Sequence, residues 1–561
     1  MDRREFLTVK KAPKIIPVQT PVYLGGRVLS GIEPYIGPWT ASEATHLCRR
    51  TLFGAKRSDV NLLKGMSMSQ AVDTILNVPL MTPAPPVKTY NNSPTAGDPD
   101  ITVVQGTTWV NTNTNDGGVN AARRASFKNW WTGLMINQAT DIREKMVMFW
   151  HDHFATETAT IGNGIQSYKN NESIRRNALG NFKVFVKDMT LDVGMLRYLN
   201  GYLNTNTAPD ENYGRELQEL FTVGKGADNA SPLFTEADVK AASRVLTGWG
   251  INNTTNTYLF NPTRHDITNK TFSSYYNNTI ITGRTGPTAG DLELNDMLTM
   301  IFNNNDVALN ICRRLYRWFV YYDIDASTES NVIAPLATVF RNNNYEIKPV
   351  LSVLFKSEHF YDVLNQGCII KNPLEIVIGL CREYNIVFPA TADYVNNYYM
   401  WQFLNQTAAN QQMNIGDPPN VAGWSAYYQR PQFHELWINS DTLPKRNQFS
   451  DMMVTTGYTR NAKNIRIDHI AFAKTLPNPG DPNALISDSI KALLTVPLTA
   501  ASMSQLKTDI ILTGQANDGY WTGIWNTYLT TPGDTINTNL VRTRLTNLFQ
   551  YLMRLSEYQL S

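Results

Sequence analysis

The sequence predicts a mainly α-helical protein: a large multi-helix body with a small β-hairpin insert and long irregular loops. Apolar residues recur three and four positions apart through most of the chain, which is the pattern of amphipathic helices. Gly, Pro and Asn cluster in the gaps between these stretches, where they indicate turns and loops. No internal repeat is visible, which disfavours a solenoid.

Helices are predicted, in chain order, over residues 41–53, 67–77, 119–137, 140–152, 171–187, 210–223, 235–247, 306–321, 331–341, 347–356, 372–384 and 536–555. Residues 386–440 mix helix with a turn-rich stretch. Residues 455–535 are predicted to form further short helices joined by polar loops.

Two segments interrupt the helices. The Pro-rich start of residues 79–118 predicts a long loop, either a surface excursion or a lid. Residues 250–290 contain two short strand candidates, 258–260 and 279–281, which predict one small β-hairpin. The expected organisation is a basic N-terminal arm (1–39), a helical core that carries both inserts (40–450), and a C-terminal helical region packed on the core (451–561).

Composition narrows the classes of protein. The 561 residues are 42% hydrophobic and 17% charged, as in a soluble globular chain of about two to four domains. The net charge of +2 provides no global field for nucleic acid, so no nucleic-acid partner is expected. No apolar run approaches 18 residues, so no transmembrane helix is predicted. The four cysteines lack zinc-site spacing and are interpreted as small buried hydrophobes.

The N-terminus leaves localisation open. Arg3 and Arg4 resemble the twin-arginine export consensus, but no apolar segment follows them. A working export signal and a basic N-terminal arm are both compatible with this pattern. Cytoplasmic residence, twin-arginine export and carriage with a partner are therefore all retained.

The run Arg143 to Phe154 contains His151-Asp152-His153 within an apolar helix. Apolar groups surround this helix, which predicts burial on all sides. Two histidines at i and i+2 cannot bind one ion from a continuous α-helix, but could do so if the helix ended near His151. The alternative is that both are core histidines held by hydrogen bonds.

A polar stripe follows the start signal Pro209-Asp210. Asn212, Arg215, Glu216 and Glu219 fall within about 100° of arc on a helix. If the stripe faces solvent, Arg215 and Glu219 form an ordinary i,i+4 pair. If it faces inward, two carboxylates with one arginine need a proton, another cation or a metal.

Two further runs contain polar or turn-forming residues. His265 and Asp266 could ligate a metal or relay protons, although the dipeptide has low specificity. The run Gly416 to Trp424 is a rigid turn, for which a change of chain direction is favoured over a pocket wall. Thr235 and Asp238 fit a capping box at the start of the helix predicted over 235–247. P-loop, dinucleotide-binding, serine-hydrolase and His-Glu-x-x-His motifs are absent from the sequence.

Taken together, these runs resemble a bacterial family known as domain of unknown function 1800. The matching runs lie at 46–54, 144–145, 149–154, 176–182, 211–217, 219–222, 238–239, 246–249, 265–266, 371–375 and 418–424. They cover roughly residues 40–450, with Gly214 where the family pattern has Ala. The last 110 or so residues carry no motif that can be placed.

The resemblance implies a family, not a reaction. Such proteins often begin with a twin-arginine signal and are encoded beside a sulfatase-like family, domain of unknown function 1501, which is thereby a candidate partner. The missing apolar segment here departs from that pattern. No catalytic residues carry over from the family.

Two hypotheses follow. In the first, the protein is a metal-dependent hydrolase of a polar polymer or ester. His151, His153, His265 and Asp266 bind a divalent metal ion as its cofactor, and Glu216 and Glu219 act in catalysis. Arg215 or Arg50 neutralises a developing oxyanion, and Asn212 orients the substrate.

In the second hypothesis the protein is a non-catalytic binding or scaffolding protein. Its buried polar groups form an ion-pair and hydrogen-bond network that fixes helix register, and its loops bind a glycan or a protein partner. Six aromatic residues in or beside irregular segments support it: Trp109, Trp130, Trp131, Tyr258, Tyr275 and Tyr276. The sequence favours the enzyme slightly, because His, Glu, Arg and Asn are an inefficient way to build a core.

Overall fold

A computed structural model describes residues 28–79, 82–90, 97–226, 233–428, 434–531 and 533–561. The described chain forms two compact units, Val28–Ile467 with Ser561, and Asp468–Leu560. The predicted mainly α-helical class is confirmed, since helices dominate and the described strands form only two-stranded sheets. Arg3 and Arg4 lie outside the described residues.

The helices of the larger unit are α1 Ala41–Thr51, α2 Arg57–Lys64, α3 Met68–Leu76, α4 Gly117–Ile136, α5 Arg143–His153, α6 Thr158–Ile161, α7 Gly164–Asn177, α8 Phe182–Thr190, α9 Val193–Tyr198, α10 Asn212–Glu216, α11 Glu236–Val245, α12 Ala289–Phe302, α13 Asn305–Phe319, α14 Ala326–Thr328, α15 Ala334–Asn342, α16 Ile347–Phe355, α17 Glu358–Tyr361, α18 Pro373–Glu383, α19 Tyr394–Asn410, α20 Ser425–Tyr428 and α21 Thr442–Val454. Its strands are β1 Trp249–Asn252, β2 Thr257–Phe260, β3 Lys270–Thr271, β4 Ile280–Ile281, β5 Tyr458–Arg460 and β6 Lys463–Ile465. The smaller unit contains α22 His469–Lys474, α23 Pro482–Leu493, α24 Ala500–Leu506, α25 Gly519–Thr530 and α26 Thr535–Arg554.

Side-chain caps set several helix starts. The predicted capping box of Thr235 and Asp238 is confirmed at α11. The predicted helix over 171–187 is wrong in one respect, because α7 ends at Asn177 and α8 starts at Phe182. The Asn181 side chain accepts hydrogen bonds from the Lys183 and Val184 amides, at 3.1 and 3.2 Å, and so begins a new helix.

The insert at 250–290 holds two antiparallel strand pairs instead of one hairpin. The predicted strand at 258–260 lies in β2 and pairs with β1, with Trp249 opposite Phe260. Asn252 accepts hydrogen bonds from the Thr254 and Thr255 amides, which closes the turn locally and explains this pairing. The strand β4 pairs with β3 instead.

The described parts of 79–118 contain no helix before α4 begins at Gly117, as the loop prediction requires. Lys88 is fully buried, and its Nζ donates to the carbonyls of Asp100 and Val103 at 2.7 and 2.9 Å. Asp100 is also paired with Arg123 of α4 at 2.8 Å. These contacts hold the loop to α4, and a role as a lid stays a prediction.

The core of the larger unit surrounds α5. Trp150 is fully buried, and its ring centroid lies 5.4 Å from that of Phe182 and 5.2 Å from that of Phe185. Its Nε1 donates to the Ala178 carbonyl at 2.9 Å. The predicted burial of α5 on all sides is confirmed, since every residue from Glu144 to His153 is buried. No described helix is both long and apolar enough to cross a membrane.

Candidate ligand-binding cleft

Two of the motif runs pack against each other. The Asp152 carboxylate, near the end of α5, accepts a hydrogen bond from the Trp424 amide at 2.9 Å. Gly423 has a φ of 90°, and a Cβ at this position would lie 2.3 Å from Asp152 Oδ1. Glycine is therefore required at this close approach. Burial raises the pKa of Asp152 to about 7, against the opposing effects of the Trp424 amide and the Arg314 charge.

His151 and His153 face different surroundings. The α5 helix continues through His153, so the helix end that joint metal binding by this pair would need is not present. His151 lies edge-on to Trp131, with ring centroids 5.2 Å apart, and burial lowers its pKa to about 4. His153 Nε2 lies 3.1 Å from the Phe221 carbonyl.

His265 and Asp266 belong to a network of the β-rich insert. His265 Nδ1 lies 2.8 Å from the Thr247 carbonyl, and its Nε2 lies 3.1 Å from Glu293 Oε1. Lys270 Nζ lies 2.5 Å from Glu293 Oε2, and the side chains of His265, Lys270 and Glu293 are completely buried. Asp266 accepts a hydrogen bond from Arg244 Nε at 2.7 Å.

The charged residues of the polar stripe at 212–219 take part in three ion pairs. Arg215 pairs with Glu236 at 2.6 Å and with Glu211 at 3.3 Å, in place of the expected pair with Glu219. Glu219 instead pairs with Lys225 at 2.5 Å, in a π-helical turn over Leu217–Phe221 that follows α10. Asn212 is exposed.

Glu216 is half-buried, and its pKa is raised to about 7, mainly by burial and secondarily by the charge of Glu219. The predicted metal ligands thus contact separate partners. Among the described residues, no group of three or more His, Cys, Asp or Glu side chains is arranged to hold a metal ion.

The aromatic residues proposed as a glycan platform mostly pack internally. Trp109 and Trp131 have no exposed surface, and Trp130 and Tyr276 are also buried. The Tyr275 hydroxyl donates to Asp306 at 2.7 Å. Of the six aromatic residues, Tyr258 alone is exposed, at 50%. They therefore form no continuous aromatic surface.

A polar cleft of about 270 Å³ lies where α4 packs on α19. Its lining combines five carboxamides, two cations, one carboxylate, one hydroxyl and three alanines: Asn129, Gln402, Asn405, Gln406, Asn414, Arg124, Lys128, Asp417, Thr158, Ala121, Ala125 and Ala159. The α4 residues at 121, 124, 125, 128 and 129 share one helix face, as do 402, 405 and 406 on α19. This spacing of small and polar residues was the signal available in the sequence, and it was missed.

The cleft lining includes an ion pair, Lys128 with Asp417. Lys128 Nζ contacts Asp417 and lies 3.3 Å from Asn414 Oδ1. Asp417 Oδ1 accepts hydrogen bonds from the Thr158 hydroxyl at 2.8 Å and the Ala159 amide at 3.2 Å. Although burial opposes it, the Lys128 charge and these donors lower the pKa of Asp417. The turn that contains Asp417 therefore contributes to a pocket wall.

The cleft lining also contains polar groups for which the described residues provide no hydrogen-bond partner. Asn129 and Asn405 are each only 8% exposed, and no hydrogen bond joins either side chain to another residue in the described part of the chain. Arg124 Nη1 donates to the Gly162 carbonyl at 2.6 Å. A buried carboxamide oxygen without a partner is costly, so Asn405 Oδ1 marks a place for a polar ligand or ordered water.

Comparison with known proteins identifies the chain by family alone. Neither the curated proteins nor the solved structures contain a match. The model of the family described as "Protein of unknown function (DUF1800)" matches residues 46–560. The match extends well beyond the motifs placed at 40–450 and includes the C-terminal region. The chain therefore belongs to the DUF1800 family of proteins of unknown function.

Proposed function

We propose that this protein binds a hydroxyl-rich ligand, the end of a glycan, in the cleft between α4 and α19. The observation that carries the proposal is the buried, unpartnered Asn405 Oδ1, which lines the cleft together with the Asn129 carboxamide. A carboxamide offers both donors and acceptors, which matches a sugar hydroxyl that also does both. A ligand would satisfy the hydrogen-bonding groups that the protein leaves unused.

The size and charge of the cleft define the ligand further. Its volume of about 270 Å³ lies just below the range of roughly 300–1,000 Å³ typical of small-molecule sites. One or two sugar units are therefore expected to enter. Arg124 and Lys128 against Asp417 give one net positive charge, so sugars that carry a carboxylate should bind more tightly than neutral ones.

A glycan array with the full chain tests this proposal, followed by calorimetric titration of the strongest glycan. Asn129→Ala and Asn405→Ala should each weaken binding about 3- to 10-fold, the equivalent of one net hydrogen bond. Asn410→Ala is the matched control, because Asn410 is exposed at the end of α19 and does not line the cleft. Absence of binding to every glycan, or equal affinity in both cleft variants and the control, would contradict the proposal.

Hydrolysis is the second candidate function, favoured by the pKa of about 7 at Glu216. A carboxyl group with this pKa can donate a proton near neutral pH, and Glu219 lies one helical turn away as a second carboxylate. Release of reducing ends from an acidic polysaccharide, lost in Glu216→Gln, would support it. The metal-assisted form has less support, because His151, His153, His265 and Asp266 contact separate partners.

A partner protein is a further proposal that comes from the family resemblance. A sulfatase-like protein of the family called domain of unknown function 1501 would be recovered with this chain in a reciprocal pull-down. Binding that survives mutation of the cleft would place the partner on another surface.

A further inference from the structure

The two cations that line the cleft between α4 and α19 have different surroundings. Lys128 Nζ contacts the Asp417 carboxylate, and these two side chains are only 13% and 19% exposed. Arg124 lies one helical turn before Lys128 on α4 and forms no ion pair within the described part of the chain. Asp417 also acts on Arg124 through space, but one carboxylate cannot neutralise two cations. The positive charge that remains in the cleft therefore belongs to Arg124.

The Arg124 guanidinium is anchored on one side and keeps donors on the other. Its Nη1 donates to the Gly162 carbonyl at 2.6 Å, just after the end of α6. A guanidinium has five N–H donors in a fixed planar fork. The Nε and Nη2 groups make no hydrogen bond to any other described residue, so this edge of the fork has unused donors.

The cleft also removes part of the Arg124 charge from water. Partial burial lowers the pKa of Arg124, and the Asp417 charge opposes this effect. Arginine nevertheless stays protonated at neutral pH, so the guanidinium is both charged and partly desolvated. An anionic ligand group next to it would offset the cost of that desolvation.

The neighbours of Arg124 favour a compact anionic group that is attached to a polar ring. Ala121 and Ala125, at i−3 and i+1 on α4, line the same cleft and are exposed. A planar carboxylate pairs with a guanidinium through two parallel hydrogen bonds. A hexuronic acid carries such a carboxylate beside several hydroxyls, and the hydroxyls match the carboxamides of Asn129 and Asn405 in the lining.

We infer that Arg124 binds the carboxylate of a hexuronic acid at the end of a glycan, and so determines which glycans the cleft accepts. This inference rests on the proposed function, because it assigns one subsite of the same cleft. The carboxamides bind hydroxyls that acidic and neutral sugars share, whereas Arg124 distinguishes the two kinds of sugar. Lys128 is paired with Asp417 and has no such role.

Three matched pairs of methyl glycosides are the probes: glucoside with glucuronide, galactoside with galacturonide, and mannoside with mannuronide. The members of each pair differ only at C6, which is a hydroxymethyl group in one and a carboxylate in the other. Calorimetric titration of the full chain should show about 5- to 10-fold tighter binding of the acid in at least one pair, as expected for a charge-assisted contact in a partly exposed site. The preference should shrink as the salt concentration rises from about 0.02 to 0.5 M.

Arg124→Gln should reduce the preference for the acid to less than about 2-fold, while the neutral sugar binds as it does to wild type. Arg176→Gln is the matched control, because it removes the same charge from a side chain that is 59% exposed and pairs with Asp188. This control should keep the full preference. If Arg124→Gln does not fold, the matched pairs and the salt titration of the wild type still decide the question.

The outcomes separate this inference from the proposed function. Equal binding of acid and neutral sugar by wild type, or a preference that survives in Arg124→Gln, would overturn the role of Arg124 and leave the glycan cleft intact. Failure of all six probes to bind would also overturn this inference, while the glycan array with the Asn405→Ala variant would still decide the proposed function.

Discussion

At the scale of single residues, Asp152 is a buried carboxyl group at the junction of the two motif runs. It is 5% exposed, accepts the Trp424 amide, and lies against Gly423. Burial raises its pKa from 3.8 to about 7. Since an unfolded chain would hold this carboxyl group near its ordinary pKa, folding takes up a proton between about pH 4 and 7.

Asp152→Asn should therefore change how stability depends on pH. The folded state binds the proton more tightly than the unfolded state, so this group's contribution falls as pH rises from about 4 to 7. Asparagine keeps an acceptor for the Trp424 amide and removes the titration. Relative to wild type, the variant should gain about 2–3 kcal/mol in free energy of unfolding between about pH 5 and pH 8.

Urea unfolding at both pH values measures this gain. Asp73→Asn is the control, because the Asp73 side chain is 59% exposed and pairs with Lys356 at the surface. A gain in Asp152→Asn no larger than that of the control would show that Asp152 is ionised at low cost.

At the scale of secondary-structure elements, buried ion pairs tie the β-rich insert to its supporting helix. Glu293 of α12 receives Lys270 of β3 and His265, and its Oε1 also accepts the Arg284 amide at 2.7 Å. The sequence's binding-protein hypothesis included such a network, and this one contains His265, which the enzyme hypothesis treated as a metal ligand. In that hypothesis the network fixes helix register, and stability measurements can test this structural role.

Glu293→Gln should destabilise the protein by about 3–5 kcal/mol, because it leaves Lys270 as a buried charge without its partner. Asp296→Asn is the control on the same helix, since Asp296 and Arg284 are partly exposed and 2.6 Å apart. The control should lose no more than about 1 kcal/mol. Thermal or urea unfolding measures the loss of stability in the two variants. Similar small losses in both would contradict the expected cost of leaving Lys270 as a buried charge without its partner.

At the scale of the whole molecule, the metal hypothesis required residues from α5, the β-rich insert and the 212–219 stripe to converge. His151 packs on Trp131, His153 on the Phe221 carbonyl, and His265 on Glu293. Each side chain is thus packed against its own neighbours, and rearrangement of the buried core would be needed to bring the three to one ion.

We accordingly expect untagged wild-type protein to contain far less than one equivalent of any divalent metal. Plasma mass spectrometry on wild type and on a double variant, His151→Ala with His153→Ala, measures this. Both should show the same low background after dialysis. Near-stoichiometric metal in wild type that is lost in the double variant would contradict the expectation and restore the metal-assisted hydrolase.

The sequence by itself determined the helical class, most helix positions within a few residues, the loop before α4 and the family. These depend on local periodicity, caps and breakers, which act between neighbours in the chain. It missed α2, α9 and α12. It also merged α7 with α8 and mispaired the strand at 279–281, because the competing local signals at Asn181 and Asn252 were weak in isolation.

Only the tertiary structure decided what the polar residues do. The sequence shows residue types suited to catalysis or metal binding at His151, His153, Glu216 and Glu219. Which of these side chains come into contact depends on packing between distant segments. That packing brings α4 onto α19 and the Gly416 to Trp424 turn onto α5, and so forms a cleft from residues that no motif contained. Long-range contacts of this kind are set by the burial of many apolar side chains together, which no local pattern specifies.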